Sequence, residues 1–140
     1  MMSKIKYWPR RELLLGWLPA ILYMALIFYM SSHPAPEEVK WLPIIAKLKL
    51  VHMIEYGILY LLLFWAIRKT TPYNMLGSFA LALELTVIYG LTDEFHQIFV
   101  QGRTASLVDA FANGVGACLF HAGLSLRRKQ SSFSEISPII

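Results

Sequence analysis

From Leu13 to Met30 the chain carries not one charged side chain, and three further windows, Leu48 to Ile67, Met75 to Leu91 and Leu107 to Leu126, are predominantly apolar. Each approaches the roughly 20 residues that a helix needs to cross about 30 Å of hydrocarbon at a rise of about 1.5 Å per residue. Lys4, Lys6, Arg10 and Arg11 precede the first window as they would precede a signal peptide. That window is long for a signal peptide's apolar stretch, however, and "YMSSHP" at its end offers no small-x-small cleavage site, so it is read as a spanning helix. At 56% hydrophobic and 16% charged residues, with a mean hydropathy of +0.50, the chain is too apolar for an ordinary soluble domain. The expectation is an all-α membrane protein with four transmembrane helices in an antiparallel bundle. Residues 1–129 form its one domain and residues 130–140 a flexible cytoplasmic tail.

Basic residues orient the windows, because short loops rich in Lys and Arg stay cytoplasmic. Lys4, Lys6, Arg10 and Arg11 precede the first window, Arg68 and Lys69 follow the second, and Arg127, Arg128 and Lys129 follow the fourth. Only Lys40, Lys47, Lys49 and Arg103 fall on the other side. Both termini are therefore expected in the cytoplasm, with the loops Ser31 to Lys47 and Thr92 to Ser106 outside. This asymmetry accounts for the net charge of +4 without a nucleic-acid partner. The short inner loop "KTTPYN" makes the second and third helices neighbours, with Pro72 and Asn74 as helix-start residues. The outer segment around Trp41 reads equally as a plain loop or as a stretch along the membrane surface. A single cysteine, Cys118, excludes an intrachain disulfide.

Polarity concentrates where it is least expected. Between two apolar windows, "LTDEFHQIFVQGRTASLVDAFANG" packs Asp93, Glu94, His96, Gln97, Arg103, Asp109 and Asn113. Helical spacing puts Lys49, His52 and Tyr56 on one stripe of the second helix with Glu55 beside it. Asp93, His96 and Gln97 share a face of the third with Glu94 about a quarter turn away, and Asp109, Asn113 and Gly116 share a face of the fourth. Three helices thus bring polar stripes to one depth at the outer boundary, and Arg103 can fold over them. Ionisable groups there are costly unless they face one another, water or a ligand, which favours a single pocket opening outward. Neighbouring carboxylates and imidazoles suit acid–base chemistry, and the Arg103 fork suits phosphate or carboxylate. Taken singly these residues read as anchors or interhelical hydrogen bonds; taken together they favour function. His52, Glu55, Asp93 and His96 can also supply metal ligands, although "HMIE" and "DEFH" match no specific metal pattern. By depth His121 can meet Glu84 near mid-membrane, which reads as a structural pair ahead of a proton path.

"KLVHMIEYGIL" followed by "TDEFHQIFVQGRTASLVDAFANGVGA" resembles the VanZ-like family of small bacterial integral membrane proteins. The matching positions are Lys49, His52, Tyr56, Asp93, Glu94, His96, Gln97, Gly102, Arg103, Ser106, Asp109, Asn113 and Gly116, and "FYMSS" also fits. Leu48, His33, Gln101 and Phe120 depart from the pattern, standing where Asp, Gln, Pro and a small residue are usual. Leu48 thereby removes one partner for Lys49 or Arg103. The resemblance implies the bacterial cytoplasmic membrane, a multi-pass topology and an association with resistance to teicoplanin, a glycopeptide carrying a lipid chain. No settled reaction comes with it. One reading is an enzyme acting on a phosphate-bearing lipid headgroup or lipid-linked envelope component. His52, Asp93, Glu94, His96 and Asp109 would then be catalytic, and Lys49, Glu55, Tyr56, Gln97, Arg103, Ser106 and Asn113 would bind substrate. The other reading is a protein that binds or shields such a lipid, or the antibiotic's acyl chain, without chemistry. Neither reading identifies a cofactor or a metal.

Overall fold

The computed structural model describes residues 10–34, 44–103, 105 and 107–136, with the side chains of all of these except 10, 12, 44–49, 107, 109 and 128–136. Four helices follow one another: α1 (Arg10–Ser31), α2 (Ile44–Thr70), α3 (Met75–Gln97) and α4 (Leu107–Ile136). No strand occurs among the described residues. The stretches Leu13–Ser31, Leu50–Thr70 and Met75–Gln97 are long and apolar enough to cross a membrane. The expected fourth window, Leu107 to Leu126, lies in the helix α4, which is not among the three spans found among the described residues.

The start of α3 matches the sequence expectation, and other helix ends do not. Asn74 caps α3, its side-chain oxygen accepting from Gly77 N–H at 2.8 Å, which satisfies one of the donors a helix start leaves open. At its other end α3 continues through Asp93 to Gln97, so part of the expected outer loop is helical. α2 begins at Ile44, inside the expected outer loop, while Trp41 lies outside the described residues. α4 runs to Ile136, well into the segment expected as a flexible tail. From Lys129 to Ile136 the sequence contains neither Gly nor Pro to break the helix.

α2 is the centre of the packing. Tyr56, Leu59, Tyr60, Leu63, Phe64 and Ile67 on it are buried, facing Ala20 and Ile27 of α1, Ala82 of α3 and Ala117 of α4. Helices in lipid gain little from hydrophobicity against one another, so close approach and interhelical hydrogen bonds must hold them. Both are present. Trp17 Nε1 donates to Thr70 Oγ1 at 3.0 Å, joining α1 to α2, and Tyr89 OH donates to the Met24 carbonyl at 2.5 Å, joining α3 to α1. Gly116 of α4 lies directly on the Met53 backbone of α2, where a Cβ would sit 2.8 Å from Met53 Cα.

The expected pairing of Glu84 with His121 does not form. His121 hydrogen-bonds the Tyr60 hydroxyl through Nδ1 and packs against Phe79, with ring centroids 4.3 Å apart, while Glu84 points outward from α3 and is exposed. Similar depth placed the two residues near one another in sequence terms, but they occupy different sides of the helices that carry them.

Candidate functional site

The polar stripes meet around one carboxylate. Asp93, 3% exposed on the last turns of α3, accepts from Ser31 Oγ of α1 at 2.6 Å through Oδ1. Its Oδ2 accepts from Tyr56 OH of α2 at 3.2 Å and from Gln97 Nε2, one turn along α3, at 2.9 Å. Three helices are therefore tied to a single buried side chain. Among the described residues no cation lies within ion-pair distance of it.

α4 reaches the same place through Asn113, which is fully buried. Gly90 of α3 makes the approach feasible: a Cβ there would meet Asn113 Nδ2 at 2.9 Å and the Tyr56 ring at 3.2 Å. Among the described residues, neither Asn113 Nδ2 nor Asn113 Oδ1 has a hydrogen-bond partner. The same is true of His52 Nδ1 and His96 Nδ1, both buried atoms. His52 stands 3.9 Å from Glu55 Oε2 on the next turn of α2, and the His96 ring stacks on Phe28 with centroids 4.3 Å apart. Buried polar groups are ordinarily paired, and each stranded one costs roughly 1–3 kcal/mol. Four such atoms at one end of the bundle call for water or a bound polar group.

Arg103 donates from Nε to the His33 carbonyl at 2.9 Å and from Nη2 to the Met30 carbonyl at 3.0 Å. Those carbonyls belong to the end of α1 and the residues just after it, so the guanidinium caps that helix with a favourably placed cation. Gly102, at φ 81°, supplies the left-handed turn that delivers Arg103 there. Arg103→Lys is expected to keep one of the two bonds and lower stability by roughly 1 kcal/mol, read in a thermal melt of the purified protein. An unchanged melting temperature would show that the cap contributes nothing.

Of the twelve candidate residues, the structure gathers Asp93, Tyr56, Gln97 and Asn113 into contact or near contact, with His52, Glu55, Glu94 and His96 on the same turns of α2 and α3. Glu94 is buried, at 6% exposure. Ser106 and the side chains of Lys49 and Asp109 lie outside the described residues. Ser31 is the partner that helical spacing on α2, α3 and α4 missed, because it comes from α1, whose span is otherwise without polar pattern. Among the described residues, no three His, Cys, Asp or Glu side chains gather to hold a metal ion.

A family model described as VanZ/LLP1 matches residues 16–128, which includes every one of these side chains. No curated protein and no solved structure matches the chain.

Proposed function

Since the chain belongs to the VanZ/LLP1 family, we propose that it acts on, or holds, a phosphate-bearing lipid headgroup or lipid-linked envelope component at the polar end of its bundle. It is a membrane protein of the VanZ-like kind, with three apolar helices able to span. The observation that carries the proposal is the set of four buried, unpartnered polar atoms on His52, His96 and Asn113 around the Asp93 hub. A headgroup with acceptor and donor atoms would satisfy them, and an imidazole with a free nitrogen can take or give a proton.

In this reading His52 or His96 is the base, and Glu94 or Asp93 the acid–base partner. Asp109 completes the catalytic set. Tyr56, Gln97 and Asn113 shape the pocket, joined by Lys49, Glu55 and Ser106. Arg103 fixes the end of α1, and so Ser31, through Nε and Nη2, and its remaining donors are assigned to substrate phosphate. The association of the family with teicoplanin resistance fits an envelope lipid as the target. The bundle is antiparallel in the bacterial cytoplasmic membrane, termini inside, so that the pocket opens outward; the Lys and Arg distribution supports this orientation.

Lipid extracts of cells with and without the protein test the chemistry. A new or depleted headgroup species is expected. Protection against teicoplanin with an unchanged lipid profile would instead favour the alternative, a protein that binds or shields the lipid or the antibiotic's acyl chain.

Orientation has its own test. With Cys118 replaced by Ser and single cysteines at Gln101→Cys or Gln130→Cys, an impermeant thiol reagent on intact cells is expected to label only the first. Labelling of the second alone inverts the topology and turns the pocket toward cytosolic substrates.

A further inference from the structure

Glu84 has no place in the site described above. It stands on α3 nine residues after Met75 and thirteen before Gln97, roughly 14 Å and 20 Å from the helix ends at 1.5 Å per residue. A glutamate side chain cannot reach either boundary from there. On α3 it occupies the middle of an outward stripe that is otherwise apolar, with Leu76, Ile88 and Leu91 all exposed. Beside this stripe an open groove of about 660 Å³ runs between α3 and α4, lined only by apolar and small side chains, among them Leu83, Val87 and Cys118.

Lipid tails can fill such a groove, but they offer nothing to a carboxyl group. Ionisable residues within a span pair with one another or face the protein interior, because leaving one in hydrocarbon costs several kcal/mol. What covers Glu84 must therefore bring a hydrogen-bonding group to the same depth. A two-fold axis along the membrane normal does this without any other protein, since it leaves every residue at its own depth and sets Glu84 against the partner's Glu84. A carboxylic acid is donor and acceptor at once, so two of them, holding one or two protons between them, satisfy each other. The isologous two-fold dimer is also the commonest closed assembly, and small side chains in the groove permit close helix approach.

We propose that the α3–α4 face is the interface of a homodimer, in which the two copies close their grooves against one another around a paired Glu84. The test uses full-length protein in nanodiscs of phosphatidylethanolamine and phosphatidylglycerol. Molar mass and fluorescence energy transfer between labelled copies are measured as the protein-to-lipid ratio is varied. The wild type and Glu84→Gln, whose amide is also donor and acceptor, are expected to dimerise. Glu84→Leu should weaken association by roughly tenfold, and Glu84→Lys by more through like-charge repulsion. Because Glu84 is exposed in the single chain, all four should melt alike under dilute, monomeric conditions. A flexible bis-maleimide should link the wild type through Cys118, the chain's only cysteine, and this needs no variant at Glu84. The proposal is overturned if the wild type stays monomeric at the highest ratio or if Glu84→Leu dimerises as tightly as the wild type. It is equally overturned if cross-linking occurs through Leu22→Cys on α1 in a Cys118→Ser background and not through Cys118.

Discussion

Asp93→Asn is expected to fold, insert and accumulate as the wild type does, and to lose activity by about 100-fold or more in a teicoplanin-protection or lipid-modification assay. The geometry makes this variant unusually clean. The Asn oxygen can take the position of Asp93 Oδ2 and accept from Tyr56 OH and Gln97 Nε2. Its amide nitrogen then takes the position of Oδ1 and donates to Ser31 Oγ. The Ser31 hydroxyl is free to turn to the Phe28 carbonyl, from which it already stands 3.1 Å. Every hydrogen bond of the hub survives while the charge and a proton acceptor disappear. Asp93→Leu is the contrast: it strands Tyr56 OH and Gln97 Nε2 in a buried site at roughly 1–3 kcal/mol each, and should reduce the amount of folded protein. Full activity of a well-folded Asp93→Asn would sink the catalytic role of Asp93 and leave it as the group that fastens α1, α2 and α3.

The largest loss of stability is expected from Gly116→Ala. The added methyl would fall 2.8 Å from Met53 Cα and 2.9 Å from its carbonyl carbon, and closer still to the carbonyl oxygen. These are backbone atoms of α2 and cannot rotate away, so α2 and α4 must separate. A cost of about 3 kcal/mol follows from overpacking of this kind, measurable by denaturant unfolding in detergent. Gly57→Ala should cost less. It meets two atoms of the Phe120 ring at 2.6 and 2.8 Å and a third closer still, but a side chain can move. Gly123→Ala meets nothing within 4 Å and should be neutral or gain up to about 1 kcal/mol from helix propensity. Equal stability of the Gly116 and Gly123 variants would show that α2 and α4 do not approach as closely as described.

The contact between Gly57 and Phe120 also explains a departure visible in the sequence. In the VanZ-like pattern that the sequence resembles, a small residue is usual where Phe120 stands, and here the glycine opposite makes room for the ring. The sequence alone shows the bulk of Phe120 but not which helix yields to it. Arg103 shows the same boundary between the two kinds of information. Its charge and its place after Gly102 are legible, and they suggest phosphate. Only the fold reveals that the Met30 and His33 carbonyls, some seventy residues earlier, accept from its Nε and Nη2.

Local pattern determined what depends on local pattern: four helices, the polar character of one end, and the membership of His52, Tyr56, Asp93, Gln97 and Asn113 in that end. Helical periodicity and the cost of polar groups in lipid act within a single segment, so they can be read before any segment has met another. The tertiary structure decided which partner each group received. Ser31 reaches Asp93 because α1 ends beside α3, and His121 turns to Tyr60 because α4 packs on α2, which leaves Glu84 alone on the outer face. Those outcomes depend on the rotation of each helix about its own axis. Backbone contacts such as Gly116 on Met53 set that rotation, and no spacing within one helix encodes it.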